Sequence, residues 1–509
     1  MRVFPGLVRN IGITAVGYSV ISGVGLLLAP FLIGLYGLAG YGQILLARIF
    51  LPTAVFGILD LGLGETTTRV VAAANHSDGW AEAAGVLTLL CAVAAAVGIA
   101  LGGALFAASD ALTYFLSISA DQELGFSRVL MLTGALLPIM FLSLIAEGVL
   151  KGLERFKDLR ACEIASALTY CALSLALGFA GFGPNWIAVT LLAALLVRFL
   201  LVSIAAVARL HSKKVRFRRW SPASRSELRR WTQVMFASKV LGTLQAQVGS
   251  PIIGFLLGPA AVGAYDAVVR LPRVAKSLFS LISTTVLPAA TGLKARSDDV
   301  GTGELATYGI LGALAVATPP AVFAAIYSEP LLRHWIGPEV SNFWIWQSVT
   351  FVVALLNVPL SFGGAVVLAS RGAAQRMLRL AAAQVGLQIA LSLALLPWLA
   401  QWAFVAGHLA SVLIVIPFQM LCLRAEISLE LRIVGLFCLA AAVCAAFALL
   451  LRLAVPADQL AFFVSSAAIY AFVMYSLLPW LLLDAGERAR LFSWLRRLTK
   501  GRCAKDAIS

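Results

Sequence analysis

The chain has 509 residues, of which 61% are hydrophobic and only 12% are charged. Soluble globular proteins carry about a quarter of charged residues, so this composition excludes that class and indicates a membrane protein. The 39 Lys and Arg residues outnumber the 24 Asp and Glu residues and give a net charge of +15, which has to be tested against membrane topology before nucleic-acid binding is considered.

Fourteen apolar segments bounded by charges, Gly or Pro approach the length of about 20 residues that a membrane-crossing helix needs. We therefore predict an all-α polytopic membrane protein with both termini on one side. In chain order the segments are 11–35, 43–63, 84–107, 129–150, 163–181, 186–207, 234–257, 260–287, 306–326, 346–369, 378–396, 402–423, 433–454 and 460–483.

The basic residues lie mostly on one side of this arrangement. With a cytoplasmic N-terminus, the outer side holds only Arg128, Arg333 and Arg452, the last near the outer end of its segment. Six basic residues lie deeper within segments, and all others lie on the inner side or, like Arg379, at the inner end of a segment. This satisfies the positive-inside rule and predicts cytoplasmic N- and C-termini. The basic run at 213–220 is then interpreted as a topology anchor that touches anionic lipid, so no nucleic-acid partner is expected.

Two parts of the chain follow the same pattern. The strings PFLIGLYGLAGYG at 30–42 and PIIGFLLGPAAVG at 251–263 place Pro and Gly at equal spacings with an offset of 221 residues. Lys151-Gly152 and Arg371-Gly372 share an offset of 220. An offset of six segments implies two parallel halves, as in transporters. The alternative is that Gly and Pro recur by chance, since both are common in membrane helices.

The repeat predicts two six-helix lobes around a central cavity, followed by two further helices. The predicted divisions are an N-terminal lobe at 1–210, a basic cytoplasmic loop at 211–232, a C-terminal lobe at 233–424, the last two helices at 425–484 and a basic cytoplasmic tail at 485–509.

Charged residues within the segments indicate where a ligand binds. A basic residue at mid-membrane costs about 2.5–3.5 kcal/mol to insert, so such residues should face water or partners. Asp266, Arg270 and Arg273 are spaced i, i+4 and i+7, which places them on one helical stripe. The basic residues predicted to bind substrate are Arg48, Arg198, Lys239, Arg270, Arg273 and Lys276.

Few acids oppose these cations, so the predicted cavity is positive and favours a phosphate or pyrophosphate. Asp266, Glu147 and Asp60 are assigned orienting or coupling roles. Alternatives remain open: Asp266 as a structural intrahelical partner, Glu147 as a helix-to-helix hydrogen-bonding group, and Arg198 and Lys276 as side chains that extend to the cytoplasmic interface.

Four ordered motifs resemble the polysaccharide or O-antigen flippases of the multidrug/oligosaccharidyl-lipid/polysaccharide exporter superfamily. They are GLAGYGQ from Gly37, LDLGLGETTTR from Leu59, GLERF from Gly152 and VGAYDAVVRLPR from Val262. The resemblance implies that undecaprenyl-pyrophosphate-linked oligosaccharide repeat units cross the bacterial inner membrane for O-antigen, capsule or exopolysaccharide assembly. Arg48 and Arg270 match positions where related flippases place cavity arginines. The expected partners are this substrate, membrane lipids, and a glycan polymerase with a chain-length regulator.

Three other functions are alternatives to this one. A lipid II flippase typically carries an Arg-Asp pair in its first helix, but no charged residue lies between Arg9 and Arg48. Multidrug exporters of the superfamily rely on acidic cavity residues, the opposite of this charge balance. A polytopic glycan polymerase or ligase should show clustered catalytic groups in a large outer loop, and we find no such constellation, metal-ligand spacing or nucleotide-binding loop. We therefore predict no enzymatic activity, cofactor or metal.

Overall fold

In the parts of the chain that it describes, the computed structural model consists of helices joined by short turns and connections, with no strand. These parts are residues 4–52, 54, 62–77, 80–213, 240–284, 299–367, 371–427, 432–455 and 459–482. The helices, numbered in chain order, are α1 Phe4–Ile49, α2 Leu63–Ser77, α3 Trp80–Ala107, α4 Ser109–Phe115, α5 Glu123–Gly152, α6 Phe156–Phe179, α7 Pro184–Ser212, α8 Gly249–Thr284, α9 Asp299–Ile326, α10 Ser328–Trp335, α11 Pro338–Ser341, α12 Trp344–Val367, α13 Arg371–Leu399, α14 Ala403–Ile427, α15 Arg432–Ala454 and α16 Leu460–Leu482.

Ten helical stretches within these residues are long and apolar enough to cross a membrane. Three of them, Gly12–Ile49, Val240–Phe279 and Gln375–Ala425, each contain helix from two predicted segments, and Trp344–Pro359 is a shorter apolar helix. Every predicted segment therefore overlaps a helix. The all-α, multi-pass membrane fold predicted from the sequence is confirmed.

The described helices group into two compact units. The first contains Met1–Val274 and Ala381–Ser411, and the second contains Ala275–Leu380 and Val412–Ser509. The lobe boundaries derived from the repeat, 1–210 and 233–424, stay a prediction.

In the first unit, α3 and α5 approach each other backbone to backbone. A Cβ atom on Gly102 would lie 2.3 Å from the carbonyl oxygen of Gly134, and one on Gly98 would lie 2.5 Å from the Cα of Pro138. Small residues let the two backbones approach closely. The resulting van der Waals contacts stabilise the helix pair in lipid, where no hydrophobic driving force acts between helices. The contact fixes α5, which carries the buried Glu147.

In the second unit, the last two helices pack on α9 through aromatic side chains. Phe323 stacks on Tyr327 with ring centroids 4.2 Å apart and lies 5.0 Å from the ring of Tyr470 on α16. Arg452 at the end of α15 pairs with Glu329 of α10 at 3.0 Å. Helices α15 and α16 are thereby part of this unit's core.

The predicted repeat is visible in the backbone of the first unit. Both α1 and α8 are interrupted at a single glycine, Gly37 with φ 64° and Gly258 with φ 81°. Only glycine adopts these left-handed angles without strain, so one residue suffices to join two helical segments. The break at Gly37 lies within the connection predicted between segments 1 and 2, at 36–42.

The two repeats also contact each other at equivalent positions. A Cβ atom on Gly42 would lie 1.8 Å from the carbonyl oxygen of Pro259, and one on Gly263 would lie 2.1 Å from the carbonyl oxygen of Leu38. Leu38 and Pro259 are related by the same 221-residue offset as Gly42 and Gly263. The contact is therefore reciprocal, as expected of two parallel copies related by a twofold axis.

Candidate functional site

Asp266 is the centre of a buried polar cluster in the first unit. Its residue surface is only 4% exposed, and its carboxylate accepts hydrogen bonds from the hydroxyl of Tyr41 at 2.7 Å and from Arg273 at 3.1 Å. The Nε of Arg270 lies 3.3 Å from the same carboxylate. The stripe predicted on segment 8 is confirmed in geometry, since the i+4 and i+7 arginines both reach Asp266.

Arg270 is held from several directions. Besides its contact with Asp266, its Nη1 donates to the carbonyl oxygen of Gly25 at 3.2 Å, and its guanidinium carbon lies 5.7 Å from the ring centre of Tyr41. A guanidinium group has five N–H donors in a planar fork, so these contacts orient the group without using all its donors. Tyr41 and Gly25 both belong to α1, and Arg270 therefore ties α8 to α1.

Arg48 has a different environment. It lies two helical turns after Tyr41 on α1, and its side chain is exposed while the neighbouring Ala47 and Ile49 are buried. It lies within electrostatic range of Arg270 and Tyr170. Among the residues that the structure describes, no carboxylate lies within ion-pair distance of Arg48. The cluster therefore presents one accessible guanidinium group that is not neutralised by a close carboxylate.

The other predicted site residues are placed as follows. The side chain of Arg273 is 36% exposed. It contacts Asp266 from two turns further along α8. Lys276 lies further along α8, in the stretch that belongs to the second unit, and is partly buried. Lys239 and Asp60 lie outside the described residues, so their assigned roles stay predictions.

Arg198 belongs to a separate network of charges on α5, α6 and α7. Its Nη2 lies 2.7 Å from Glu147 and 3.0 Å from Glu163, both of which are buried. Lys151 approaches Glu147 at 3.9 Å, and Arg160 pairs with Glu163. The structure thus places Arg198 between two carboxylates, and it places Glu147 in an interhelical ion pair. The phosphate-binding role assigned to Arg198 stays a prediction.

The cluster also contains two tyrosines that were not predicted from the sequence. Tyr41 is buried and donates to Asp266, and Tyr170 on α6 lies within electrostatic range of both Arg48 and Arg270. The signal for Tyr41 was its seven-residue spacing from Arg48, which places both on one face of α1. Tyr170 has no such signal, because its helix is remote from the other two in sequence.

Within the described ranges, no group of three or more His, Cys, Asp or Glu side chains is placed to hold a metal ion. What the cluster offers chemically is a set of guanidinium and hydroxyl donors around one fixed carboxylate. Such an arrangement suits a polyvalent anion that accepts several charge-assisted hydrogen bonds.

Sequence comparison identifies one family. The family described as polysaccharide biosynthesis protein matches residues 7–293, which include nearly all of α1 and the whole Asp266 cluster. No curated protein gives a significant match to the sequence.

Solved structures with the same fold are transporters. The lipid II flippase MurJ in an inward closed conformation aligns with a TM-score of 0.69 at 14% identity over 92% of this chain and 98% of its own. An inward-facing multidrug resistance MATE family transporter of the MOP superfamily aligns with a TM-score of 0.63 at 14% identity, over 81% and 94% of the two chains. A MOP superfamily transporter from Pyrococcus furiosus with a binding pocket of reverse polarity aligns with a TM-score of 0.59 at 15% identity, over 83% of this chain and 95% of its own. At these identities the likeness establishes a shared transporter fold.

Proposed function

The chain belongs to the polysaccharide biosynthesis protein family, and from that premise we propose that it is a flippase for lipid-linked oligosaccharides. The proposed substrate is an undecaprenyl-pyrophosphate-linked repeat unit that serves surface polysaccharide assembly, as O-antigen, capsule or exopolysaccharide. The proposed location is the bacterial inner membrane, with both termini in the cytoplasm. A glycan polymerase and a chain-length regulator are the proposed protein partners.

The observation that carries this proposal is the arginine cluster of the first unit. Arg48, Arg270 and Arg273 lie in helices long and apolar enough to span a membrane, where a cation is costly. Arg270 and Arg273 both contact Asp266, and no described carboxylate lies within ion-pair distance of Arg48. A guanidinium group such as that of Arg48, which has no close described carboxylate, is expected in a membrane helix where an anion binds. The pyrophosphate of a lipid-linked sugar is such an anion.

The proposed mechanism follows from electrostatics. Moving a pyrophosphate through a medium of low dielectric constant is the main obstacle to flipping, because an unpaired charge loses its hydration there. Arg48 and Arg270 would replace part of that hydration while the prenyl chain stays in lipid. The site then has to become accessible from the predicted outer side, as in other transporters that alternate between two accessible states.

Lipid II, which is also a prenyl-pyrophosphate-linked sugar, is an alternative substrate with the same anionic group. Its flippase MurJ shares the fold of this chain. We place it second because the described part of α1 from Gly12 to Ala47 carries no charged residue. A multidrug exporter would need acidic groups in place of the arginines. A polymerase or ligase is placed last, and product formation by the purified protein would reveal it.

Replacement of Arg270 tests the proposal in cells. Arg270→Ala removes both the charge and the contact with Gly25, and we expect surface glycan to fall by about tenfold or more, the loss typical of one charge-assisted hydrogen bond in a site. Arg270→Lys keeps the charge and should retain more glycan. Arg209→Ala, which removes the partly exposed partner of Asp158, is the matched control. Unchanged glycan in Arg270→Ala at normal protein levels would refute the proposed role.

A further inference from the structure

An open cleft of about 510 Å³ lies at the predicted outer end of the first unit, where the connection from α4 leads into α5. This volume is within the range of about 300–1,000 Å³ that small-molecule sites occupy. The cleft is lined by Tyr114, Phe115, Ser117, Ile118 and Glu123. These residues are distinct from those of the Asp266 cluster, so the cleft is a second candidate site on the same unit.

The lining of the cleft combines aromatic rings with polar oxygens. Tyr114 and Phe115 are 74% and 61% exposed, and their ring centroids lie 5.9 Å apart in an edge-to-face arrangement. Within the described residues, no cation pairs with the carboxylate of Glu123. Exposed rings offer apolar contact to the C–H faces of a sugar, and carboxylate and hydroxyl oxygens accept hydrogen bonds from sugar hydroxyls. This mixture therefore fits a carbohydrate.

Contacts with the core hold the cleft in place. Leu116 and Ile118 are only 1% and 6% exposed, so they anchor the connection between α4 and α5. Asn185 of α7 donates to the carbonyl oxygen of Gln122 at 3.4 Å and accepts from Gln43 of α1 at 2.7 Å. These hydrogen bonds tie the start of α5 to α7 and α1. A site fixed in this way loses little conformational freedom when a ligand binds.

The cleft lies beside the helix that carries Arg270. A Cβ atom on Gly258 would lie 3.9 Å from the Cβ of Ser117, and one on Gly254 would lie 3.5 Å from the side chain of Leu116. Arg270 follows Gly258 by twelve residues in α8, which is about 18 Å at a rise of 1.5 Å per residue. The sugar chain of a lipid-linked oligosaccharide also extends away from its pyrophosphate, so the two sites suit the two ends of one headgroup.

We propose that this cleft binds the sugar chain of the lipid-linked oligosaccharide at the predicted outer side, through the rings of Tyr114 and Phe115 and the carboxylate of Glu123. The inference rests on the proposed function and deepens it by assigning the two ends of the headgroup to two sites. The carboxylate of Glu123 repels a pyrophosphate, which goes to the arginines instead. Sugar hydroxyls donate to the same carboxylate in charge-assisted hydrogen bonds.

Lipid is the other candidate occupant, because aromatic residues also gather at the interfaces of a membrane. The position of Glu123 favours the sugar chain over lipid. An ionised carboxylate is costly beside acyl chains and repels anionic headgroups, whereas it strengthens the binding of a hydroxyl-rich ligand.

Protection of a cysteine in the full-length protein in detergent tests the cleft without depending on transport. Ser117→Cys places a thiol in the lining, and Ser119→Cys places one two residues away, exposed but outside the lining. The probe is the sugar chain released by mild acid from the lipid-linked oligosaccharide of cells that lack this protein. At ten times its Kd, the probe should slow the reaction of Ser117→Cys with a maleimide about tenfold by mass action. Ser119→Cys should keep its rate, and the unaltered protein gives the background.

Substitutions in the Ser117→Cys protein then identify the groups that bind. Glu123→Gln removes a charge-assisted acceptor and should raise the half-protecting concentration about tenfold. Tyr114→Ala removes an aromatic face and should raise it several-fold, whereas Tyr114→Trp keeps such a face and should retain protection. Leu124→Ala is the matched control, because Leu124 is 66% exposed next to Glu123 and is not part of the lining.

A labelling rate of Ser117→Cys that does not respond to the sugar chain would overturn the inference. If reconstitution into phosphatidylglycerol vesicles slows that labelling while Ser119→Cys keeps its rate, the occupant is lipid. Protection that is equally strong in Glu123→Gln and Tyr114→Ala would also overturn it. Transfer of lipid-linked oligosaccharide that depends on Arg48 would then leave the flippase in place. Absence of transfer by the unaltered protein would refute the proposed function, even where the sugar chain protects Ser117→Cys.

Discussion

At the scale of single residues, the contrast between Arg270 and Arg198 shows how differently a membrane helix accommodates the same side chain. Arg198 is flanked by two buried glutamates at 2.7 and 3.0 Å, whereas Arg270 and Arg273 share one aspartate. We expect the carboxylate-matched charge of Arg198 to serve helix packing, and we propose that Arg270 serves a ligand. Sequence spacing could not separate the two cases, because Glu147, Glu163 and Arg198 lie on three different helices.

The sequence did identify the stripe of Asp266, Arg270 and Arg273, since helical periodicity alone places them on one side. It missed Tyr41, whose hydroxyl reaches Asp266 across 225 positions of the chain. Such a contact depends on how α1 and α8 pack. No local pattern encodes that packing.

Replacing Arg198 with Gln should destabilise the protein more than it affects ligand binding. Two buried carboxylates would each lose a partner, although Glu163 keeps Arg160, and breaking a buried ion pair on one side costs about 3–5 kcal/mol. Thermal unfolding in detergent measures this loss. Arg209→Gln is the control. The side chains of Arg209 and Asp158 are 41% and 29% exposed, and ion pairs exposed to solvent contribute about 1 kcal/mol or less. A stable Arg198→Gln protein with weakened substrate binding would instead support the ligand role predicted from the sequence.

At the scale of secondary-structure elements, the glycines of the repeat determine how α1 and α8 meet. Gly37 and Gly258 break the two helices, and Gly42 and Gly263 allow each repeat to touch the backbone of the other. The equal spacing of Gly and Pro in the sequence predicted the duplication. It could not predict that the two copies contact each other at those same glycines, because the spacing describes each copy separately.

Gly42→Ala should disrupt this contact. The added Cβ would lie 1.8 Å from the carbonyl oxygen of Pro259, an atom of the backbone that cannot move aside without separating α1 from α8. We expect overpacking to cost about 1–3 kcal/mol or more and to abolish transport. Gly34→Ala is the control, since nothing lies within 4 Å of its added Cβ and alanine favours helix over glycine by about 1 kcal/mol. A Gly42→Ala protein as stable and active as Gly34→Ala would contradict the proposed contact.

At the scale of the whole molecule, composition and hydropathy were sufficient to predict the fold class. Each crossing of a bilayer requires a helix of about 20 apolar residues, so the membrane-crossing segments can be identified from hydropathy alone. Their ends were less well predicted: α1 runs through the expected connection between segments 1 and 2, and only Gly37 interrupts it. The position of such a break depends on one backbone conformation, which hydropathy does not report.

The orientation of the chain rests on the distribution of its basic residues and can be tested by labelling. Ser119 is exposed in the predicted outer connection between α4 and α5, and Ser212 is exposed at the predicted inner end of α7. With a membrane-impermeant maleimide, Ser119→Cys should be labelled in cells whose inner membrane is intact, and Ser212→Cys only after that membrane is disrupted. The unaltered protein, whose own cysteines provide the background, is the control. The reverse pattern would invert the proposed topology.

Flipping by the purified protein in proteoliposomes tests the central claim most directly. A fluorescent short-chain prenyl-pyrophosphate-linked disaccharide is placed in one leaflet, and its appearance in the other is followed by quenching from outside. We predict protein-dependent transfer that falls about tenfold or more in Arg48→Gln and is unchanged in Arg209→Gln. Transfer by Arg48→Gln at the rate of the unaltered protein, or no transfer by the unaltered protein, would contradict the account.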